Sequence, residues 1–554
     1  MKSKNYTSNA LILVVSTLLV KVITVVYKIP LTSLIGATGR GYFAIAYNLF
    51  IPFNSVCMGA VPVVVSKLVS EYLAKKNIAR VSVIKSVSFK IMLVLGFVST
   101  IVVCLIAFPY CKYTGGGTGA LMCVLVLAPS LIFSCLSGAR RGVFEGEMNM
   151  TPTAVSQLVD CLFKAVFGVL FARLGMSILF DEYLNFSTVL GKIAVSKEEA
   201  LSYIYPITSA LSMIGVLVGS FASFVYLEIL MKKSSFEKIK SIKLKISVRK
   251  EIVNLSLPII TATAVSGISN IVEQASVNFC LKNANNIFLT QMYENAINFS
   301  QTKASDIPTY LFGIYSSVLD FKNLVPMVSA ALGVAAVPVI SSELAVNDLK
   351  KGSYYMEMLL KFSSVIGLGI GWCFYLMPKE IINIVYGIKN PDIAMGGERV
   401  LAFFGISMIV YALLSPFVCA LQGAGLGKEA VLPFAFSAVI KVFFNALLMQ
   451  KTDLAMVSFA VSSFLGTTVT LVWCAVVFFK KTKLKVRFTA TFLRPAIVSM
   501  SIPLTIYFLK SINFSNSENI NNMIILLITA FLYIVFVFLF KVLDFGSLKM
   551  IKKF

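Results

Sequence analysis

The sequence predicts an all-α integral membrane protein of about fourteen transmembrane helices, arranged as two pseudo-symmetric six-helix lobes plus two C-terminal helices. Three observations carry this. The chain of 554 residues is 58% hydrophobic and 13% charged, with a mean hydropathy of +0.87, far from the make-up of a water-soluble globule. Apolar runs long enough to cross about 30 Å of hydrocarbon recur along its whole length. A proline motif returns about half a chain apart: Val61-Pro-Val-Val-Val-Ser66 and Val337-Pro-Val-Ile-Ser341, with upstream prolines at Pro52 and Pro326.

Taken in order, the spans begin near Ala10, Tyr42, Ser88, Gly119, Thr153, Tyr205, Ile252, Pro308, Met356, Arg399, Ala430, Leu454, Ala490 and Asn522. The basic leader before Ala10 resembles a signal peptide, but no small-residue cleavage site follows, so the first helix is expected to be retained. Spans two and eight look Pro-broken, with Pro52, Pro62, Pro326 and Pro338 as hinge candidates, because proline frees a carbonyl and permits bending; static kinking is the alternative. The thirteenth, with Arg494 inside it, is the least apolar. The predicted division is 1–231 for the first lobe, 232–250 for a basic linker, 251–479 for the second lobe and 480–554 for the two extra helices and a tail.

The net charge is +24, from 49 Lys and Arg against 25 Asp and Glu. These cations sit in alternate short turns: Lys75, Lys76, Arg80 and Lys85 after span two, Arg140 and Arg141 after span four, eight between Lys232 and Lys250, and another group from Lys480 to Arg487. The positive-inside rule therefore predicts both termini in the cytoplasm of a plasma-membrane protein, and no nucleic-acid partner is implied. The stretch from Lys232 to Lys250, with Ile239, Ile242, Leu244 and Ile246 between its lysines, suits either an anionic lipid surface or a plain topogenic loop.

Absences narrow the function. There is no histidine, which removes His-based proton relays, Ser-His-Asp triads and His-ligated metals. The ten cysteines show no Cys-x-x-Cys and read as small apolar packing residues. Gly423-Ala-Gly-Leu-Gly-Lys428 lacks the first glycine of a phosphate loop and is followed by Glu429, so no nucleotide is expected. No catalytic residue, metal or cofactor is expected; coupling to a monovalent cation or to the membrane potential stays open. A membrane glycosyltransferase would need carboxylate or metal-binding clusters that the chain does not show.

Lys21 and Lys28 stand inside the first span, seven residues apart and therefore on one helical face. A lysine at mid-span costs about 2.5–3.5 kcal/mol on insertion scales, so it normally faces water or a partner. Interior cations point to an anionic cargo. Lys21, Lys28 and Arg40 are the candidate substrate-binding residues; snorkelling is the alternative for Lys28, and a charged turn between Gly39 and Gly41 for Arg40. Glu273, placed in span seven facing them from the second lobe, is the candidate gate or counter-ion. Asp160 and Lys164, four apart on span five, suit a structural pair or a cavity lining, as do Lys441 and Asn445 on span eleven. Asp320 and Lys322 are read as charges near a helix end pointing to different faces.

Arg141-Gly-Val-Phe-Glu-Gly146, Asn149-Met-Thr-Pro-Thr153 and Ser156-Gln157, with Tyr27-Lys-Ile-Pro30, Gly39-Arg-Gly-Tyr42 and Leu421-Gln-Gly423, resemble the stage V sporulation protein B group, within the multidrug/oligosaccharidyl-lipid/polysaccharide (MOP) exporter superfamily. The resemblance covers essentially the whole chain. It implies a flippase that moves an undecaprenyl-pyrophosphate-linked cell-wall sugar, lipid II-like, across the bacterial plasma membrane as a monomer. The alternatives it leaves are a flippase for a capsule or O-unit oligosaccharide, and a multidrug/cation antiporter. Departures from the family pattern are Asp160, Cys161 and Lys164 where the family usually shows Glu-Gln and then Arg, and longer segments from Met176 to Ser202 and from Lys282 to Asp306.

Overall fold

The computed structural model describes residues 2–114, 116–233, 242–387, 389–451, 454–512 and 514–543. Nearly all of them are helical. Eleven stretches among these residues are long and apolar enough to cross a membrane, and the first, Leu19–Ala74, is long enough for two crossings. Two further long helices, Ile242–Asn283 and Ile307–Ala345, occupy the places of spans seven and eight. Fourteen crossings are compatible with this set.

The chain forms two compact units, one of residues 1–283 and 301–313, the other of 284–300 and 314–554. In the first, α1 (Lys2–Ser55) runs through the whole first span and into the second. It is kinked at Gly36, whose φ of 64° lies in the left-handed region that glycine alone enters without cost. The ring of Tyr205 packs where a side chain on Gly36 would stand. The bend is therefore at Gly36 and not at Gly39-Arg40-Gly41: Arg40 lies within the helix, which overturns the charged-turn alternative. Gly39 and Gly41 let α1 come close to its neighbours, since a Cβ at Gly41 would stand 2.1 Å from the Thr309 carbonyl oxygen.

A one-turn π-helix, Val56–Ala60, joins α1 to α2 (Val61–Ala74) between Pro52 and Pro62. Then come α3 (Ile78–Thr114), the broken fourth span as α4 (Gly117–Leu127) and α5 (Ser130–Gly146), α6 (Thr151–Phe186), a two-stranded hairpin of β1 (Thr188–Val189) and β2 (Lys192–Ile193), α7 (Lys197–Lys233) and α8 (Ile242–Asn283). Residues 234–241 of the expected linker lie outside the described residues, and its remainder from Ile242 is the first part of α8. Span seven therefore packs with the first unit, against α1 and α3.

The motif Arg141-Gly-Val-Phe-Glu-Gly146 lies at a helix joint. Gly138, Gly142 and Gly146 form a stripe on α5, and a Cβ at each would stand 2.6–2.7 Å from a backbone oxygen of Cys57, Pro62 and Ser66 in turn. Only glycine permits this backbone approach.

The second unit contains the short α9 (Asn286–Met292) and α10 (Glu294–Ser300), most of α11 (Ile307–Ala345), α12 (Leu349–Leu376), α13 (Pro378–Tyr386), α14 (Pro391–Gly423), α15 (Val431–Lys451), α16 (Val457–Thr482), and the last two spans as α17 (Arg494–Ser499) with α18 (Ser501–Lys510), and α19 (Glu518–Leu539). Its α11 is continuous through the positions of Pro326 and Pro338, in contrast to the π-turn ahead of Pro62. The Pro338 side chain lies outside the described residues. The last two spans dock on α12 through an apolar cluster of Met358, Phe362, Val498, Ile502, Ile525 and Tyr533. Residues 544–554 lie outside the described residues.

Candidate functional site

Within the first unit, one group of polar side chains lies where α1, α5, α6 and α7 meet. Lys164 of α6 donates a hydrogen bond to the Tyr47 hydroxyl, and its ammonium lies 4.6 Å from the centre of the Tyr47 ring and 5.5 Å from that of Tyr27. Two electron-rich faces thus stabilise the cation where water is scarce. Both tyrosines belong to α1, so the contact fixes the face that α1 turns to α6. The Cys161 thiol continues that face, donating to the Val20 carbonyl at 3.5 Å.

Arg141 of α5 belongs to the same group. Its side chain is 7% exposed, with Nε donating to Ser156 Oγ at 2.9 Å, Nη2 to Ser223 Oγ at 3.0 Å and Nη1 to the Met58 sulfur at 3.6 Å. The arginine and the serine of the sequence motif are therefore partners of one another. Asp160 interacts electrostatically with both Arg141 and Lys164, and Gly219 leaves room for its carboxylate, since a Cβ there would stand 3.0 Å from Oδ1. No hydrogen bond or ion pair joins Asp160 to Lys164 among the described residues. Their same-face spacing holds, but the tyrosines take the direct contact.

The other sequence-predicted residues fall as follows. Lys21 is exposed and lies in the electrostatic field of Lys164; Lys28 is partly buried. Arg40 is 3% exposed, with its guanidinium carbon 5.3 Å from the Phe43 ring centre. Glu273, on α8, is partly buried and belongs to the first unit with these cations, not to the second as expected. Its carbonyl accepts from the Ser276 hydroxyl at 2.7 Å. Pro52 packs on Gly267 of α8, and Pro62 on Gly138 and Gly142.

In the second unit, Lys441 lies along Gly466 of α16, whose missing Cβ would stand 2.6 Å from its Cγ, and Asn445 is 1% exposed. Pro326 is partly buried in α11. Lys322 corrects the sequence reading: it lies deep within α11 and not near a helix end. Its ammonium donates to Ser463 Oγ at 3.0 Å and lies 4.4 Å from the Tyr411 ring centre and 5.1 Å from that of Phe404. Its place inside the eighth apolar run was the available signal. Tyr27 and Tyr47 gave none, because a tyrosine in a span is chemically ambiguous until its neighbour is known.

Ion pairs hold the ends that carry the basic turns. Lys85 meets Glu147 at 2.7 Å and Arg140 meets Glu228 at 2.8 Å in the first unit. In the second, buried Glu357 is held by Arg487 at 3.0 Å and Lys361 at 3.0 Å. No cluster of metal-ligating side chains occurs among the described residues.

The MatE family profile matches residues 286–447. Among curated proteins, stage V sporulation protein B of Bacillus subtilis (strain 168) is 20% identical over 558 residues, covering 100% of this chain and 98% of that protein. The lipid II flippase MurJ of the same organism is 20% identical over 463 residues, covering 79% of this chain and 76% of that protein. Among solved structures, a lipid II flippase MurJ in an inward closed conformation superposes with a TM-score of 0.63 at 16% identity, covering 94% of this chain and 97% of that one. An inward-facing multidrug resistance MATE family transporter of the MOP superfamily gives 0.60 at 13% identity, covering 83% and 99%. The fold is that of MOP superfamily transporters.

Proposed function

We propose that this chain, with the MOP transporter fold and a likeness to stage V sporulation protein B along its whole length, is a flippase for an undecaprenyl-pyrophosphate-linked cell-wall sugar precursor. The observation that carries this is the charge of the first unit's membrane-embedded helices. Lys21, Lys28, Arg40, Arg141 and Lys164 stand along α1, α5 and α6, whereas α1 contains no acidic residue at all. A diphosphate leaving water needs such groups, because lysine and arginine replace part of its hydration with charge-assisted hydrogen bonds. An organic-cation antiporter would need carboxylates on α1, and the one carboxylate of this cluster, Asp160 on α6, is offset by Arg141 and Lys164.

The division of labour follows from the cargo. A polyprenyl tail never has to leave hydrocarbon, so only the diphosphate and sugar require a polar path. Lys164 and Arg141, tied to tyrosine and serine hydroxyls, set a fixed positive background. Exposed Lys21 is the group best placed to meet a mobile anion, with Lys28 two turns along the same helix adding positive charge. Alternating access carries the head group from one side of the membrane to the other.

The test is genetic. In a bacterium depleted of its own lipid II flippase, this chain as the only complement should restore growth and flipping. Failure there with rescue of a strain lacking a capsule-oligosaccharide flippase would replace lipid II by another lipid-linked glycan. Failure in both would remove the flippase reading.

A further inference from the structure

The two segments that depart from the family pattern meet in space. Met176 to Ser202 contains the β-hairpin, and the stretch from Lys282 to Asp306 ends beside it: Lys303 pairs with Glu199 at 3.3 Å. The hairpin is a firmly built element. Its turn residues Leu190 and Gly191 have φ of 48° and 75°, and Glu182 accepts from Thr188 Oγ1 at 3.3 Å and from the Gly191 amide at 3.4 Å. Beneath it Leu179, Val189, Ala194, Ala200 and Ile204 form a buried apolar cluster. A leucine held at positive φ is a strained residue, and strain of this kind persists where the surroundings over-determine it.

Between hairpin and helix ends lies a cavity of 440 Å³, within the range of roughly 300–1,000 Å³ typical of small-molecule sites. Tyr42, Lys192, Tyr203, Lys303, Ser305 and Asp306 line it, all from the first unit. It sits at the end of the unit opposite the basic turns. Close to Tyr42 the wall is made by residues 116–119, where Gly119 lets the Tyr42 ring approach to 2.9 Å of where its Cβ would be.

We infer that this cavity binds an anionic sugar unit, such as a uronate or a sugar phosphate. The lining asks for a ligand of two characters. Lys192, whose ammonium lies 5.2 Å from the Tyr203 ring centre, and Lys303, shared with Glu199, attract an anion, while the partly buried carboxylate of Asp306 repels one and accepts only from a donor. Inorganic phosphate offers the anion without hydroxyl donors enough to offset Asp306; a neutral sugar offers donors without the anion. A charged sugar offers both, with apolar ring faces for the tyrosines and serine-type hydroxyls for its rim. This deepens the flippase reading and rests on it: the cavity is the station of the cargo's glycan on the side away from the basic turns, and the glycan that fits it carries a negative charge.

The experiment uses the full chain in nanodiscs of neutral lipid, titrated calorimetrically with glucuronic acid, glucose 1-phosphate, glucose and inorganic phosphate. The two charged sugars should bind at least tenfold more tightly than glucose or phosphate. Lys192→Ala with Lys303→Ala should remove at least tenfold of that affinity; both lysines are exposed, and the pair lost to Glu199 is of the surface kind that holds little stability. Asp306→Asn should weaken the charged sugars while tightening inorganic phosphate. Phosphate binding as tightly as the sugars, or unchanged affinity in the double variant, overturns the inference. Flipping by the wild type in proteoliposomes, measured alongside, separates the two readings. Normal flipping without sugar binding sinks this inference alone, and absent flipping sinks the transport reading.

Discussion

Lys21 and Lys164 show how one residue type takes two roles in one unit. Lys164 is spent on its tyrosines, whereas Lys21 of α1 stays exposed. Removing a charge-assisted contact to phosphate costs about 1.5–3 kcal/mol, which is roughly ten- to a hundredfold. Lys21→Ala should therefore lower flipping in proteoliposomes by that factor with normal membrane insertion, and Lys21→Arg should keep most of the activity. Lys164→Met should act first on stability, because it leaves the Tyr47 hydroxyl without its donor and Asp160 with Arg141 as its remaining cationic neighbour. A fall in detergent melting temperature larger than that of Lys21→Ala is the expected result. Asp306 carries the pH dependence of the rim. Burial is the largest influence and raises its pKa, offset in part by Ser305 and Lys303. Because the folded chain then holds the proton more tightly than the unfolded one, stability is highest below the ordinary carboxylate range and declines as pH rises through the raised value. Tyr42 and Lys192 face the same cavity. Asp306→Asn should flatten that decline in melting curves taken across acidic to neutral pH.

At the scale of elements, the α2–α5 joint is the most exacting contact in the first unit. A methyl group at Gly142 would lie 2.6 Å from the Pro62 carbonyl oxygen, and backbone cannot move aside as a flexible side chain can. Gly142→Ala should cost about 1–3 kcal/mol, the range of overpacking, and should appear as a lowered melting temperature and reduced yield. Gly117, with no atom within 4 Å of its Cβ position, makes the control, tested as Gly117→Asn because its φ of 51° suits asparagine. The glycines of the family-like motif were legible as residues, but the reason for them was not. A stripe at every fourth position says that something comes close, and only the fold says that α2 does.

For the whole molecule, the basic turns predict orientation. Lys75→Cys should react with a membrane-impermeant thiol reagent only in inverted vesicles, and Leu190→Cys only in intact cells; the reverse pattern would turn the topology over. Both positions are exposed. Because the native cysteines are buried or partly buried, labelling should report the introduced thiol above a low background, measured on the unmodified chain.

What the sequence by itself determined is what bilayer physics forces on any chain. Apolar runs must become helices because hydrocarbon satisfies no backbone group, so the span positions, the all-α class and the charge bias of the turns could be read directly. The cations Lys21 and Lys28 within the first span, and Arg40 at its exit, were visible for the same reason, since charge beside or inside an apolar run stands out. Partnership was decided only in the tertiary structure. Lys164 prefers Tyr47, more than a hundred residues away in the chain, to Asp160 one turn away; Lys322 sits in a cage of two rings from another helix; and span seven packs with the first unit. The kink at Gly36, five residues before Gly41, was equally hidden, because several glycines there could bend the helix and packing against Tyr205 selected one. Hydropathy is a sum over neighbours along the chain, whereas these contacts depend on which faces meet across it, and a one-dimensional pattern carries the first kind of information far better than the second.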